Sequence, residues 1–273
     1  MDLISRFIPI QAPRQYIFLG EEHADIFRLP DGRWSRKKAE NGRGWLRKSV
    51  PFLNDGDQTV SFRKIRGELA AVDTGVILHP GFFIYNIFEF DRIPFPEKLR
   101  RELIRWKLEK ILPEDIAAYC HRFFKLDRRR IFSILIRKTL VEAIEAAARD
   151  SGITLGYIGN STVEIINRLF RPGTGPDFFV EITGTVVAIV FKQRGTPVYV
   201  RKLKSDSTED LIQEIEKTVQ FVRAHFSLAP ATYQLISYHE EIPAAKIEAT
   251  LLGGGLTREN AQTGEFPFLP LPS

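Results

Sequence analysis

The side chains able to do chemistry are few and widely spaced. The five histidines, His23, His79, His121, His225 and His239, have no ligand spacing to one another or to the single cysteine, Cys120. The sequence therefore nominates no tetrahedral metal set. Cys120 lies in a strand-like run without a neighbouring histidine, so a buried, inert thiol is expected. Asp73-Thr74-Gly75 supplies one carboxylate where proton-sharing catalysis needs two, and no second copy exists; a turn is the expected reading. Gly253-Gly254-Gly255 lacks the Lys-Ser/Thr that would hold phosphate and Mg²⁺, and reads as a joint. Asn160-Ser161-Thr162 fits a glycosylation sequon but stands where a helix begins, which makes it a cap. No catalytic pair emerges.

The elements around these residues are clearest between Ile93 and Phe170. Ile93-Pro94-Phe95-Pro96-Glu97 leads into a periodic helix that ends at Pro113. At about 100° per residue, Leu99, Leu103 and Trp106 form one apolar stripe. Ile104, Leu108 and Ile111 form another, roughly 140° away. One stripe can cover the protein's own sheet; the other needs a second surface. Strands are expected at Ala117–Leu126 and Ile131–Arg137, split by the turn Asp127-Arg128-Arg129. A helix follows from Thr139, where Thr139 and Glu142 have capping-box spacing, to Gly152, a residue suited to a helix C-terminus. A strand at Thr154–Ile158 and a helix from Ser161, with Glu164 as its capping partner, complete this block.

Upstream, short strands are expected at Tyr16–Leu19, Ala24–Leu29, Val60–Lys64, Leu69–Val72 and Phe82–Phe90. Downstream of the Pro- and Gly-rich linker Arg171–Pro176, three strands (Phe178–Ile182, Val186–Lys192, Pro197–Leu203) form a meander with a turn at Gln193-Arg194-Gly195. The helix Thr208–Phe226 carries Ile212, Ile215, Val219, Val222 and Phe226 on one stripe. Thr232–Ser237 reads as a strand, Pro243–Leu251 as a short helix, and Gly253–Ser273 as an irregular tail.

A chain of 273 residues, 44% of them hydrophobic, can bury a substantial core. One cysteine suits a reducing compartment. Met1–Arg14 has no apolar signal core and no run approaches 18 apolar residues, so a cytoplasmic protein is expected. The net charge of +5 is local in origin. Eight Lys or Arg and two acids lie between Arg28 and Lys48, an excess of +6, and the rest of the chain sums to −1. This basic segment, residues 30–48, lacks periodicity and reads as a loop with Trp34 and Trp45 among its charges. Arg36, Lys37 and Lys38 are its candidate contacts with an anionic lipid surface.

The order of elements resembles the PilM family, the actin-like proteins of type IV pilus assembly, and more distantly the cytoplasmic domain of the GspL family of type II secretion. The resemblance rests on Ile93-Pro94 before the helix, Leu99–Lys110 with Pro113 after it, Ser151-Gly152-Ile153-Thr154, the meander Phe179–Leu203 with Gly195-Thr196-Pro197-Val198, and the helix Thr208–Phe226. It implies an α/β, actin-like (ribonuclease H-like) fold of two lobes. The expected division is a first-lobe sheet in 1–93, a small inserted subdomain in 94–158, a first-lobe helix and linker in 159–176, a second lobe in 177–252, and the tail.

The departures from the family pattern bear on function. The first phosphate loop aligns with Ile17-Phe18-Leu19-Gly20, so Phe18 replaces the acid. The second aligns with Glu181-Ile182-Thr183-Gly184, with Glu for Asp and one extra residue. Gly20, Glu181, Thr183 and Gly184 are thus the remnants of a nucleotide site. The adenosine-loop glycines fall at Ser237-Tyr238. Only Lys204–Ser207 separates the hairpin from the next helix, leaving no room for the subdomain that walls the family's cleft, so the second lobe is truncated. The resemblance then implies a non-catalytic scaffold without a cofactor, binding the cytoplasmic N-terminal peptide of a membrane-spanning, PilN-like partner beside the inserted subdomain, with Leu99, Leu103 and Trp106 as contacts. Two alternatives stand beside it. One is an ATP- and Mg²⁺-using actin-like ATPase with Glu181 on the metal; the other is nucleic-acid binding through residues 28–48, against which the confinement of charge to one loop argues.

Overall fold

β-branched and aromatic runs make the strands of this chain, and their alternation decides which core each side chain enters. The computed structural model describes residues 15–20, 23–28, 46–51, 62–63, 65–69, 73–94, 96–169, 177–226, 231–240 and 244–258. In the first lobe, β1 (Gln15–Leu19), β2 (His23–Arg28) and β3 (Leu46–Pro51) form an antiparallel meander. β4 (Thr74–Leu78) and β8 (Leu155–Asn160) continue the sheet in parallel on the other side of β1, giving the order β3-β2-β1-β4-β8. The second lobe repeats this arrangement. Its meander is β9 (Phe178–Gly184), β10 (Val186–Gln193) and β11 (Thr196–Lys204), and β12 (Ala231–Glu240) and β13 (Leu256–Arg258) run parallel to β9, in the order β11-β10-β9-β12-β13.

Between β4 and β8 the chain builds a separate layer. β5 (Phe83–Glu89), β6 (Tyr119–Lys125) and β7 (Arg130–Arg137) form a sheet in the order β5-β7-β6, with α1 (Glu97–Glu109) and α2 (Lys138–Asp150) beside it. Ile104 and Leu108 of α1 bury against Phe90, Ile93, Tyr119, Ile131 and Leu135 on one face of this sheet. The opposite face, with Phe132, Ile134 and Ile136, shares a core with Ile144 and Ala147 of α2 and with Ile17, Leu19, Val76 and Leu78 of the first lobe. Helix α1 is therefore the outermost layer.

α3 (Ser161–Leu169) follows β8, α4 (Thr208–Phe226) follows β11, and α5 (Ala244–Gly253) follows β12. The α4 stripe (Leu211, Ile215, Val219, Val222) packs on Phe178, Val180 and Ile182 of β9. The alternate residues of both sheets face each other. Tyr16 and Phe18 of β1 and Ile77 of β4 meet Phe179, Val190 and Ile236 of the second lobe in one buried cluster, joined by Ile165 of α3. β1 and β9 are thus buried on both sides, which is why they read as nearly continuous apolar runs.

Several expectations hold. The two-lobed α/β architecture is present, α4 spans Thr208–Phe226 as expected, and three residues separate β11 from it, with no inserted subdomain. Gly152 adopts φ +64° just past α2, the left-handed conformation that glycine takes most readily.

Others are corrected. Sheet pairing puts β5 in the insert, not in the first-lobe sheet, and β8 in the first lobe, not in the insert; the insert thus starts before residue 94 and ends before 158. Residues 62–63 and 65–66 are helical in place of a strand, and Phe62 and Ile65, three apart, both reach the core. Thr74 and Gly75 lie in β4, not a turn, with Thr74 Oγ1 accepting from Gln15 Nε2 at 3.0 Å. On α4, Leu211 takes the buried place expected of Ile212. Cys120 is exposed: it shares the face of Ile136, but it lies on β6, the edge strand of the sheet. Thr139 and Glu142 form no capping box; α2 starts at Lys138, whose Nζ pairs with Glu142 at 3.6 Å. In the expected tail, Leu256 is buried and β13 extends the second sheet, Gly255 turning at φ +76°. β3 occupies the end of the segment read as a basic loop.

Helix α1 predicts a contrast measurable by thermal or chemical denaturation. Leu108 is fully buried and Leu99 is 51% exposed. Leu108→Ala should cost about 2–5 kcal/mol, and Leu99→Ala should stay within about 0.5 kcal/mol. Equal costs would contradict the packing described.

Candidate functional site

The strand pattern of β9 sets a carboxylate in an apolar interface. Phe179, Glu181 and Thr183 share the face turned toward the first lobe, and Glu181 is fully buried. Both of its oxygens are engaged by the start of α3: Ser161 Oγ donates to Oε1, and Thr162 Oγ1 donates to Oε2 at 2.6 Å. Thr162 Oγ1 accepts from the Tyr85 hydroxyl of β5 at 3.3 Å, and Tyr85 accepts from Asn160 Nδ2 at 2.7 Å. Asn160 Oδ1 accepts from the Val163 amide at 2.9 Å and so caps α3. One directional chain of hydrogen bonds therefore links the insert, the first lobe and the second lobe, and ends on Glu181. Burial pushes the Glu181 carboxyl up to about 7 against the opposing effect of the two hydroxyls. Burial also raises the Tyr85 hydroxyl, with the Glu181 charge adding to it.

A second carboxylate lies on the same helix. Glu164 is buried, accepts from the Tyr157 hydroxyl, and is likewise pushed up to about 7 by burial. Lys202 of β11 makes a further link between lobes, donating to the carbonyls of Gly81 at 3.0 Å and Phe83 at 2.6 Å. Burial lowers its ammonium, and Lys204 adds to the effect. At Gly81 a Cβ would sit 2.4 Å from the His79 ring, whose Nδ1 accepts from the Gly81 amide, and 3.3 Å from Val186, so the turn Pro80–Phe82 has glycine where the ring folds over it.

The expected phosphate-loop residues fall on both sides of this junction. Gly20 is buried just after β1. Gly184 turns the β9–β10 hairpin at φ +56°, and Thr183 Oγ1 is buried with no hydrogen-bond partner among the described residues. Phe18, at the position of the first acid, fills the apolar cluster between the lobes. Ser237 and Tyr238 lie within β12, paired with Ile182 and Thr183, and not in a loop. Ser161 and Glu164 are not a capping pair: Ser161 serves Glu181, Glu164 serves Tyr157, and Asn160 makes the cap. Sequence reasoning missed Tyr85, Ser161 and Thr162 as site residues. The signal was there in Phe179-Val180-Glu181-Ile182, where a charge inside a buried strand demands donors.

The expected partner contacts divide. Leu99 and Trp106 are exposed on α1, whereas Leu103 packs partly into the insert core. In the other stripe, Ile104 and Leu108 are buried and Ile111 is exposed. Arg36, Lys37 and Lys38 lie outside the described residues.

A groove of about 540 Å³ runs between insert and first lobe, with Val141, Glu145 and Arg149 of α2 on one side and Ile153–Ile158 on the other. β8 is the edge strand of its sheet, and no α1 residue lines this groove. Among the described residues no cluster of His, Cys, Asp or Glu could hold a metal ion.

No protein-family model and no curated protein sequence matches the chain. Solved structures do. A PilM–PilN type IV pilus biogenesis complex aligns with a TM-score of 0.69 at 15% identity, over 92% of this chain and 88% of the other. The cytoplasmic domain of EpsL, an inner-membrane component of the Vibrio cholerae type II secretion system, aligns at 0.55 and 10% identity over 93% and 100% of the two chains. A Bacteroides thetaiotaomicron protein of actin-like ATPase fold and unknown function aligns at 0.58 and 10% identity, over 94% and 93%. Identities this low speak to architecture alone, and the architecture is that of the actin-like fold.

Proposed function

We propose that this chain is a non-catalytic cytoplasmic scaffold of a type IV pilus or type II secretion-like assembly at the inner membrane, and that it binds the cytoplasmic N-terminal peptide of a membrane-spanning, PilN-like partner. The observation that carries this reading is the state of Glu181. The acid aligned with the second phosphate loop is fully buried, with both oxygens held by Ser161 and Thr162. Phe18 stands where the first loop's acid would be and fills the space between the lobes with apolar contact. Neither residue is available to position Mg²⁺ or water. The likeness in fold to a chain solved in a PilM–PilN complex supports assembly over turnover.

The groove between α2 and β8 is the proposed peptide site. An edge strand offers unpaired backbone groups to an extended segment, and Val141, Glu145 and Arg149 add an apolar contact and both signs of charge. Among the described residues no helix is long and apolar enough to cross a membrane; the partner supplies that function in this reading.

Three outcomes are expected. In calorimetry Mg-ATP binds no tighter than about 1 mM, equivalent to about 4 kcal/mol; micromolar binding would restore the ATPase reading. A synthetic N-terminal cytoplasmic peptide of a PilN-like protein binds in fluorescence polarisation, and Arg149→Glu or Val141→Arg weakens it by about tenfold or more, about 1.4 kcal/mol. A wild-type chain that ignores such peptides would sink the scaffold reading. The third outcome concerns pH. A rise from the usual 4.5 to about 7 in the folded state corresponds to about 3 kcal/mol. The folded chain holds the Glu181 proton to higher pH than the unfolded one, so this stabilisation is complete below pH 4.5 and lost as pH rises through 7. Glu181→Gln should remove that part of the pH dependence, leaving the part due to Glu164. Denaturation curves of wild type and variant with the same pH slope would contradict it.

A further inference from the structure

We infer that the outer face of α1 is a contact surface for an anionic lipid bilayer, with Leu99 and Trp106 entering the headgroup layer. The large apolar side chains exposed among the described residues are Leu99 (51%), Trp106 (50%), Ile111 (51%), Phe221 and Leu252. The first three fall within or just after α1. At about 100° per residue, Leu99 and Trp106 lie directly opposite Ile104 and Leu108, the pair that holds the helix to its sheet. The face belongs to the outermost layer of the insert, and no α1 residue lines either groove of the described residues.

Its charge selects the occupant. From Glu97 to Lys110 there are six basic residues (Lys98, Arg100, Arg101, Arg105, Lys107, Lys110) and three acids; at about 100° per residue, Lys98, Lys107 and Lys110 lie within a quarter turn of the Leu99–Trp106 line together with Glu102 and Glu109, and the three arginines lie farther round the helix. Glu97 and Glu109 are held by Arg101 at 2.6 Å and Arg105 at 2.8 Å, leaving Glu102 as the remaining acid. Lys110 Nζ stands 3.6 Å from the Trp106 ring centroid and Lys107 Nζ 5.8 Å from it. Tryptophan flanked by lysines suits an anionic interface: the ring sits at headgroup level while flexible ammonium groups reach phosphate. A second copy of the chain would set these lysines against their own kind. A bilayer with anionic headgroups complements the charge. This surface is separate from the α2–β8 groove, and its test needs no partner protein.

The experiment is flotation of the full chain with vesicles of phosphatidylcholine alone or mixed with phosphatidylglycerol, at low and high salt. Binding to the mixed vesicles at low salt is expected, with loss at high salt. Lys98→Ser with Lys110→Ser should weaken it on the order of twentyfold, from about fivefold per basic residue. Leu99→Ala with Trp106→Ala should weaken it at least about tenfold, and Leu252→Ala should leave it unchanged. These positions are exposed, so unfolding curves should match wild type and exclude a loss of fold. With Trp34 and Trp45 changed to Phe, Trp106 is the remaining tryptophan, and its emission should shift to the blue on adding mixed vesicles. The inference is overturned by absence of binding to mixed vesicles, by binding that survives both α1 double variants, by an unshifted Trp106 emission, or by lipid-free self-association that Trp106→Ala abolishes.

Discussion

A carboxylate buried between two lobes constrains this structure more than any other interaction. Taking the Glu181 charge out of water costs several kcal/mol, and each hydrogen bond to it returns about 1.5–3 kcal/mol. The donors sit on α3, and one of them, Thr162, is itself oriented by Tyr85 of the insert. β9, α3 and β5 must therefore arrive together, in one register, for the charge to be tolerated. An apolar contact would allow sliding; a half-satisfied carboxylate would not.

The same interaction shapes the meaning of the fold. Two sheets of identical strand order face each other, an arrangement that in actin-like proteins leaves a cleft at the strand ends. Here Phe18, Phe179, Val190 and Ile236 meet across the midline, Glu181 is bonded to the first lobe, and Lys202 ties β11 to the turn after β4. These contacts hold the lobes in the arrangement that a ligand between them would otherwise have to stabilise. In the proposed reading, recognition falls to the insert, at the groove beside β8 and the outer face of α1.

Long periodic elements were legible in the sequence. α4 carries its stripe over nineteen residues, and the meander strands and the insert's helices follow from alternation and turn chemistry. Elements defined by pairing were not. Thr74–Leu78 is short and begins inside a turn-like Asp-Thr-Gly, Leu46–Pro51 is largely polar, and Leu256–Arg258 has only three residues; each is a strand because a neighbour offers an edge. The site was half legible. Glu181 stood out only through the family resemblance, as the residue aligned with the second phosphate loop, and its donors looked like a helix cap, since serine and threonine before a helix ordinarily bond the backbone. In this chain Asn160 takes that task and frees the next two hydroxyls for the carboxylate.

The most direct measurement of the central claim is a double-mutant cycle between Glu181→Gln and Thr162→Val, read by equilibrium unfolding near neutral pH. If the carboxylate is the bond between lobes, the two substitutions couple by about 1–3 kcal/mol. Costs that add to within about 0.3–0.5 kcal/mol would mean that Glu181 and Thr162 act independently and that the junction is held by its apolar contacts alone.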